Sequence, residues 1–168
     1  MKRFTSTILG TALAVGGAIA LAPSAAAEER TCRGAIGAVT LDNVTVPAGA
    51  TCTLTGTILK GTLKVERGAT LTAQRVRVNG NIQSQAHKLV RVHDARVGGS
   101  IQVEQGATID LRRNVVGGDV QVFSNRTGTK TIIGNRLDGN LQCTSNTPVP
   151  VGSGNIVKGN KEDQCRRL

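Results

Sequence analysis

The feature that most limits how this chain can fold is an internal repeat. The strings GTLKV from Gly61, GNIQS from Gly80, GSIQV from Gly99, GDVQV from Gly118 and GNLQC from Gly139 are variants of one pattern, and Gly159 opens a degraded further copy. Successive repeat glycines are 19, 19, 19, 21 and 20 residues apart. Two more elements recur in phase. Pro47-Ala48-Gly49-Ala50-Thr51 is echoed by Glu66-Arg67-Gly68-Ala69-Thr70 and Glu104-Gln105-Gly106-Ala107-Thr108. Leu59, Val78, Val97, Val116, Leu137 and Val157 each stand two residues before a repeat glycine. A fixed period of this length is the mark of a solenoid, in which each unit buries its apolar face only against its neighbours.

Within each segment the apolar residues alternate, as in Leu63/Val65, Leu71/Ala73 and Val76/Val78, which is the period of a strand with one face buried. No stretch after residue 27 carries a helical stripe. Three short strands per unit, separated by turns at Gly, Asn and Asp, predict an all-β, right-handed parallel β-helix of about six coils of 19 to 21 residues. At about 4.8 Å per coil, six coils make a rod of roughly 29 Å. Composition agrees: with 21 Gly, no Trp, no Tyr and only Phe4 and Phe123, the core must be Val, Ile, Leu and Ala in a chain that turns every few residues. The rival fold is a leucine-rich repeat, because Asn114, Asn135 and Asn155 recur in phase ahead of Val116, Leu137 and Val157. That fold asks for more leucines and a longer unit.

The first 27 residues stand apart. Lys2 and Arg3, the apolar run Ile8 to Leu21 and Ala25-Ala26-Ala27 read as a secretory signal cleaved after Ala27, leaving 28–168 as one domain. The apolar run is too short to span a bilayer. Cys32 lies beyond Glu28-Glu29-Arg30, away from the cleavage point, so a lipid anchor is not expected. A secreted, extracellular protein is. Four cysteines in an exported chain read as two disulfides with three possible connectivities. The repeat register turns Cys52 and Cys143 inward near opposite ends, too far apart to bridge. Cys32–Cys52 and Cys143–Cys165, each about one coil apart, then staple the end coils, where bare strand edges would fray.

The register sorts the remaining side chains into columns. Val44, Leu63, Ile82, Ile101, Val120 and Leu141 form one inward column, and Val46, Val65, Ser84, Val103, Val122 and Cys143 the next. Between them Lys64, Gln83, Gln102, Gln121 and Gln142 face solvent as an amide ladder able to hydrogen-bond along itself. With Asn81, Ser100, Asp119 and Asn140 beside it, this makes a flat polar face of the kind a glycan or crystal surface could match, although it lacks the aromatic rings on which sugars stack. Glu66 and Glu104 share a column two coils apart with Gln85 between them. Their separation of about 9.6 Å is near that of an inverting glycosidase pair. Coils this short carry no side loops to close a cleft, so no catalytic residue and no enzyme is expected. His87 and His93 lie in one coil without a third ligand. Gly117-Gly118-Asp119-Val120 is half of a calcium-binding nonapeptide whose aspartate is missing from the neighbouring repeats. No metal and no cofactor are expected.

The formal net charge of +10 becomes +8 without Lys2 and Arg3. Arg75, Arg77, Arg91, Arg96, Arg112, Arg113 and Arg136 all fall at outward positions of the second and third strands or the turn between them. Asp94 and Asp110 share those columns and pair with some of them. The surplus is a positive stripe whose planar guanidinium forks suit carboxylate or phosphate.

The alanine-rich signal, the opening TCRG, the GxIQV coils and the closing NLQC followed by NKEDQC resemble small uncharacterised secreted proteins of high-GC Gram-positive bacteria. The resemblance implies export and a right-handed parallel β-helix, and no activity. The coil stack is also similar to the polymer-forming bactofilins, from which the signal and the cysteines depart. Together these readings predict a monomeric, non-enzymatic extracellular or cell-surface binding module whose basic face takes an anionic cell-wall polymer or acidic polysaccharide. Nucleic acid, which asks for aromatic stacking, is not expected. The alternative is a structural component that self-associates end to end, opposed by the stapled, charged ends at Lys161-Glu162-Asp163 and Arg166-Arg167. A polysaccharide-active enzyme is a distant third.

Overall fold

The computed structural model describes residues 29–168, and the expected signal, residues 1–27, lies outside them. No helix occurs among the described residues. The chain passes through three parallel sheets, here A, B and C, in strict rotation. One coil runs Ile101–Glu104 in sheet A, Thr108–Arg112 in B and Val115–Val116 in C, and the next resumes in A at Val120–Phe123. Sheet A has eight strands and B and C seven each, so the stack makes seven turns and closes on Lys161–Asp163 in A. The rod is therefore about 34 Å long.

The expected count of about six coils is one short. The missed turn comes first, with strands Glu29–Thr31, Gly34–Ile36 and Thr40–Leu41. It carries no repeat glycine, yet it pairs in register, Arg30 on Val44 and Gly34 on Cys52. Arg30 is tolerated in an inward column because it is exposed in the first described coil. Elsewhere the columns stand as the repeat predicts. Val44, Leu63, Ile82, Ile101, Val120 and Leu141 pair coil to coil and are fully buried. Each such aliphatic contributes about 1.5–3 kcal/mol relative to exposure.

Both expected disulfides are formed, Cys32–Cys52 with Cα atoms 5.6 Å apart and Cys143–Cys165 with 5.2 Å. Such bonds are consistent with an oxidising compartment. Among the described residues no helix is long and apolar enough to cross a membrane.

The corners are sealed by a device that the apolar pattern does not announce. At the B-to-C corner the chain turns through a left-handed residue in every coil from Gly56 to Gly154, including Arg75, Asp94 and Arg113 at φ 52°, 55° and 51°. The next residue points inward. In three successive coils it is asparagine: Asn114, Asn135 and Asn155 are buried. Asn114 Nδ2 donates to Val92 O at 2.8 Å and to Asn135 Oδ1 at 2.9 Å, and its Oδ1 accepts from Ala95 N at 3.0 Å. Asn135 repeats this onto Leu111 O and Asn155. The asparagines that suggested a leucine-rich repeat are thus an internal ladder satisfying corner backbone groups that water cannot reach. A second ladder, Asn125, Asn146 and Gln164, seals the A-to-B corner of the last coils.

That same corner separates two look-alike motifs. Gly49 and Gly68 take φ +69° themselves, whereas from the fourth coil on the left-handed residue comes one position earlier, at Ala86, Gln105, Ser124 and Ser145. Gly106 is needed for space instead: a Cβ there would lie 2.3 Å from the His87 ring.

Candidate functional site, the basic face

Each strand of sheet C from the second coil on has two residues, so one side chain points in and one out. Leu59, Val78, Val97, Val116 and Leu137 point in and are buried. Their strand neighbours Ile58, Arg77, Arg96, Val115 and Arg136, with Ile156 of the last strand, form one outward column. Arg77, Arg96 and Arg136 are exposed, as is Arg75 at the preceding corner. None of these four has an ion-pair partner among the described residues.

The other three arginines lie towards sheet B and are engaged. Arg113 grips Asp94 with two parallel bonds, Nε to Oδ1 at 2.7 Å and Nη2 to Oδ2 at 3.0 Å. Arg112 Nε donates to Asp110 Oδ1 at 2.6 Å, while Arg91 Nε stands 3.5 Å and His93 Nε2 3.0 Å from Oδ2. The hydrogen bond from Arg113 holds the Asp94 carboxyl below the usual carboxylate range. Partial burial alone would raise Asp110, but the bond from Arg112 and the neighbouring His93 and Arg112 charges outweigh it, and its pKa also falls. Both aspartates are ionised at neutral pH. The seven arginines thus divide into three on sheet C without a carboxylate partner, Arg75 near Asp94 but forming no ion pair, and three already facing carboxylates.

The amide ladder closes on itself. Gln83, Gln102 and Gln121 each donate Nε2 to the next Oε1 at 2.9 Å, and Gln142 donates to Glu162 Oε2 at 3.0 Å. The half-buried groups beside it bond to backbone. Asn81 Oδ1 accepts from Ser100 N, Ser100 Oγ from Asp119 N, Asp119 Oδ1 from Asn140 N and Asn140 Oδ1 from Asn160 N, so this column caps the C-to-A corner. Glu66, Gln85 and Glu104 border an open groove of about 590 Å³ with Lys64, Arg67, Gln83 and Gln102. Glu66 there accepts from Ala48 N at 3.2 Å and lies 3.6 Å from Lys64 Nζ.

The two histidines share a coil but not a site. His93 lies on the outer side of sheet B, while His87 is buried, its Nδ1 2.9 Å from Ser84 Oγ. Burial, with the charge of Lys130 second, pushes the His87 pKa down to about 4. Lys130 itself is a buried cation that the repeat did not reveal. It stacks on Ile109 in an apolar inward column and donates to Thr127 O, Gly128 O and Thr147 O at 2.9, 3.0 and 2.7 Å. Burial lowers its pKa. The 21-residue spacing after Gly118 marks the lengthened coil that supplies two of these carbonyls.

Comparison with family models, curated proteins and solved structures finds no match to this chain.

Proposed function

We propose that this protein is a secreted, non-enzymatic β-helix that binds an anionic polymer at or outside the cell surface through sheet C. The observation that carries the reading is the single outward column holding Arg77, Arg96 and Arg136 without a carboxylate to neutralise them. A rigid scaffold presents these charges at fixed intervals, so little conformational freedom is lost when a repetitive ligand docks. Exposed guanidinium contacts are individually weak and screened by salt. Binding should therefore be weak and salt-sensitive. The N-terminal signal pattern, the disulfides and the resemblance to small secreted proteins of high-GC Gram-positive bacteria support export and point to wall polymers or acidic polysaccharides as ligands.

The test is co-sedimentation of the mature protein with isolated cell-wall fractions and with acidic polysaccharide. Retention at low salt and release at high salt is expected. Retention that ignores salt, or none at either, contradicts the proposal. End-to-end self-association is the second reading. Val151–Ser153 and Ile156–Val157 are the last strands of sheets B and C, and Val149, Val151 and Ile156 are each more than half exposed there. Concentration-dependent growth in analytical ultracentrifugation would favour it.

A further inference from the structure

The free arginines of sheet C are unevenly spaced. Arg77 and Arg96 stand on neighbouring coils, about 4.8 Å apart along the backbone. Arg96 and Arg136 are separated by Val115, which doubles the interval to about 9.6 Å. Ile58, Val115 and Ile156 in the same column are 39%, 45% and 55% exposed. The next column along each coil is Lys60, Asn79, Gly98, Gly117, Asp138 and Lys158. At Gly98 and Gly117 no side chain stands, and a Cβ there would lie 2.4 Å from Asn79 O and 2.3 Å from Gly98 O. A bare backbone shelf two coils long therefore runs beside Arg96 and Val115. Asn79 bounds it at one end and the Asp138–Lys158 ion pair, at 2.8 Å, at the other.

These features fit a chain lying along the rod axis. Across the rod a two-residue strand offers one outward side chain, whereas along it charge recurs in multiples of about 4.8 Å. A sugar chain with one carboxylate on every residue has a residue length near that rise. Its C–H faces can meet Val115 and the isoleucines, and the glycine shelf leaves room for its rings. A polyphosphodiester spaces its charges more widely and offers no such face. Resting on the anionic-polymer reading above, we infer that sheet C binds a polyuronate-type polysaccharide parallel to the rod axis, and that four consecutive sugars are needed to reach from Arg77 to Arg136.

Oligogalacturonates of two to six residues, titrated calorimetrically into the mature protein at low salt, test this. Affinity should rise at least about tenfold between three and four residues, worth about 1.4 kcal/mol, and less than about twofold for each residue after that. Val115→Arg fills the gap at an exposed site and should add a step of similar size between two and three residues while the step at four remains, with circular dichroism showing an intact fold. A smooth rise with length for the natural sequence, or a Val115→Arg variant without the added step at three residues, overturns the axial register while the anionic reading stands. Tighter binding of polyglycerol phosphate than of a uronate of equal charge overturns the sugar class. Absence of binding to either polymer removes this inference and the proposed function together.

Discussion

The outer faces of sheets B and C both carry arginines on their strands, yet they present different chemistry. Around sheet B, Arg91, Arg112 and Arg113 face Asp94 and Asp110 across one coil step or along one strand. On sheet C, Arg77, Arg96 and Arg136 share their column with Ile58, Val115 and Ile156 and form no ion pair among the described residues. In a solenoid a charge is free or neutralised according to what occupies the same column one coil away. Net charge therefore says less about binding than register does.

That contrast depends on the B-to-C corner staying fixed, and the largest effect should come from breaking it. Asn135→Ala removes the partner of Asn114 N, Asn114 Nδ2, Leu111 O and Asn155 Oδ1 inside the protein. A loss of about 4 kcal/mol in urea denaturation is expected. Arg136→Ala, one residue on but pointing out, should stay within about 0.5 kcal/mol. If the two variants cost the same, the corner ladder does not hold the faces apart.

Between about pH 6.5 and 4, above the range in which Asp94 and Asp110 protonate, acid should act through the A-to-B corner. His87 titrates near 4 in the folded protein against 6.5 when unfolded. Between these values the unfolded chain binds the proton and the folded one does not. Stability should therefore fall by about 3 kcal/mol as pH drops from about 6.5 to 4, then level off for this group. A His87→Gln variant should lack that slope in pH-dependent unfolding.

The smallest effect sharpens the contrast directly. Asp110→Asn frees Arg91 and Arg112 and makes sheet B resemble sheet C. It should cost about 1 kcal/mol of stability while raising polymer affinity a few-fold in a titration. Unchanged affinity would mean that the carboxylate was not what kept sheet B silent.

Much of this could be read from the sequence because the repeat carries its own register. Val44 to Leu141 and Gln83 to Gln142 are related by near-constant spacing, and one correct pairing fixes the others. Cys32–Cys52 and Cys143–Cys165 followed from the same count. The first turn escaped because Arg30 and Gly34 replace the repeat's aliphatics at an open end. Asn114, Asn135 and Asn155 were visible in phase but not legible as inward, since a strand pattern does not say which way a residue points after a left-handed corner. Lys130 was hidden because its buried charge depends on three carbonyls brought together only by the fold. Which arginines are free depended on side-chain reach to Asp94 and Asp110, which columns alone do not give.

The most direct measurement is the salt dependence of polymer binding by the mature protein and by its Arg77→Glu, Arg96→Glu, Arg136→Glu triple variant. Each guanidinium that meets the polymer releases about one counterion. A plot of log affinity against log salt should therefore have a slope of about −3 for the natural sequence, and the triple variant should lose binding while its circular dichroism is unchanged. A slope of about −6, which would mean that the three paired arginines of sheet B bind as well, or a triple variant that still binds with the same slope, would contradict the assignment to sheet C.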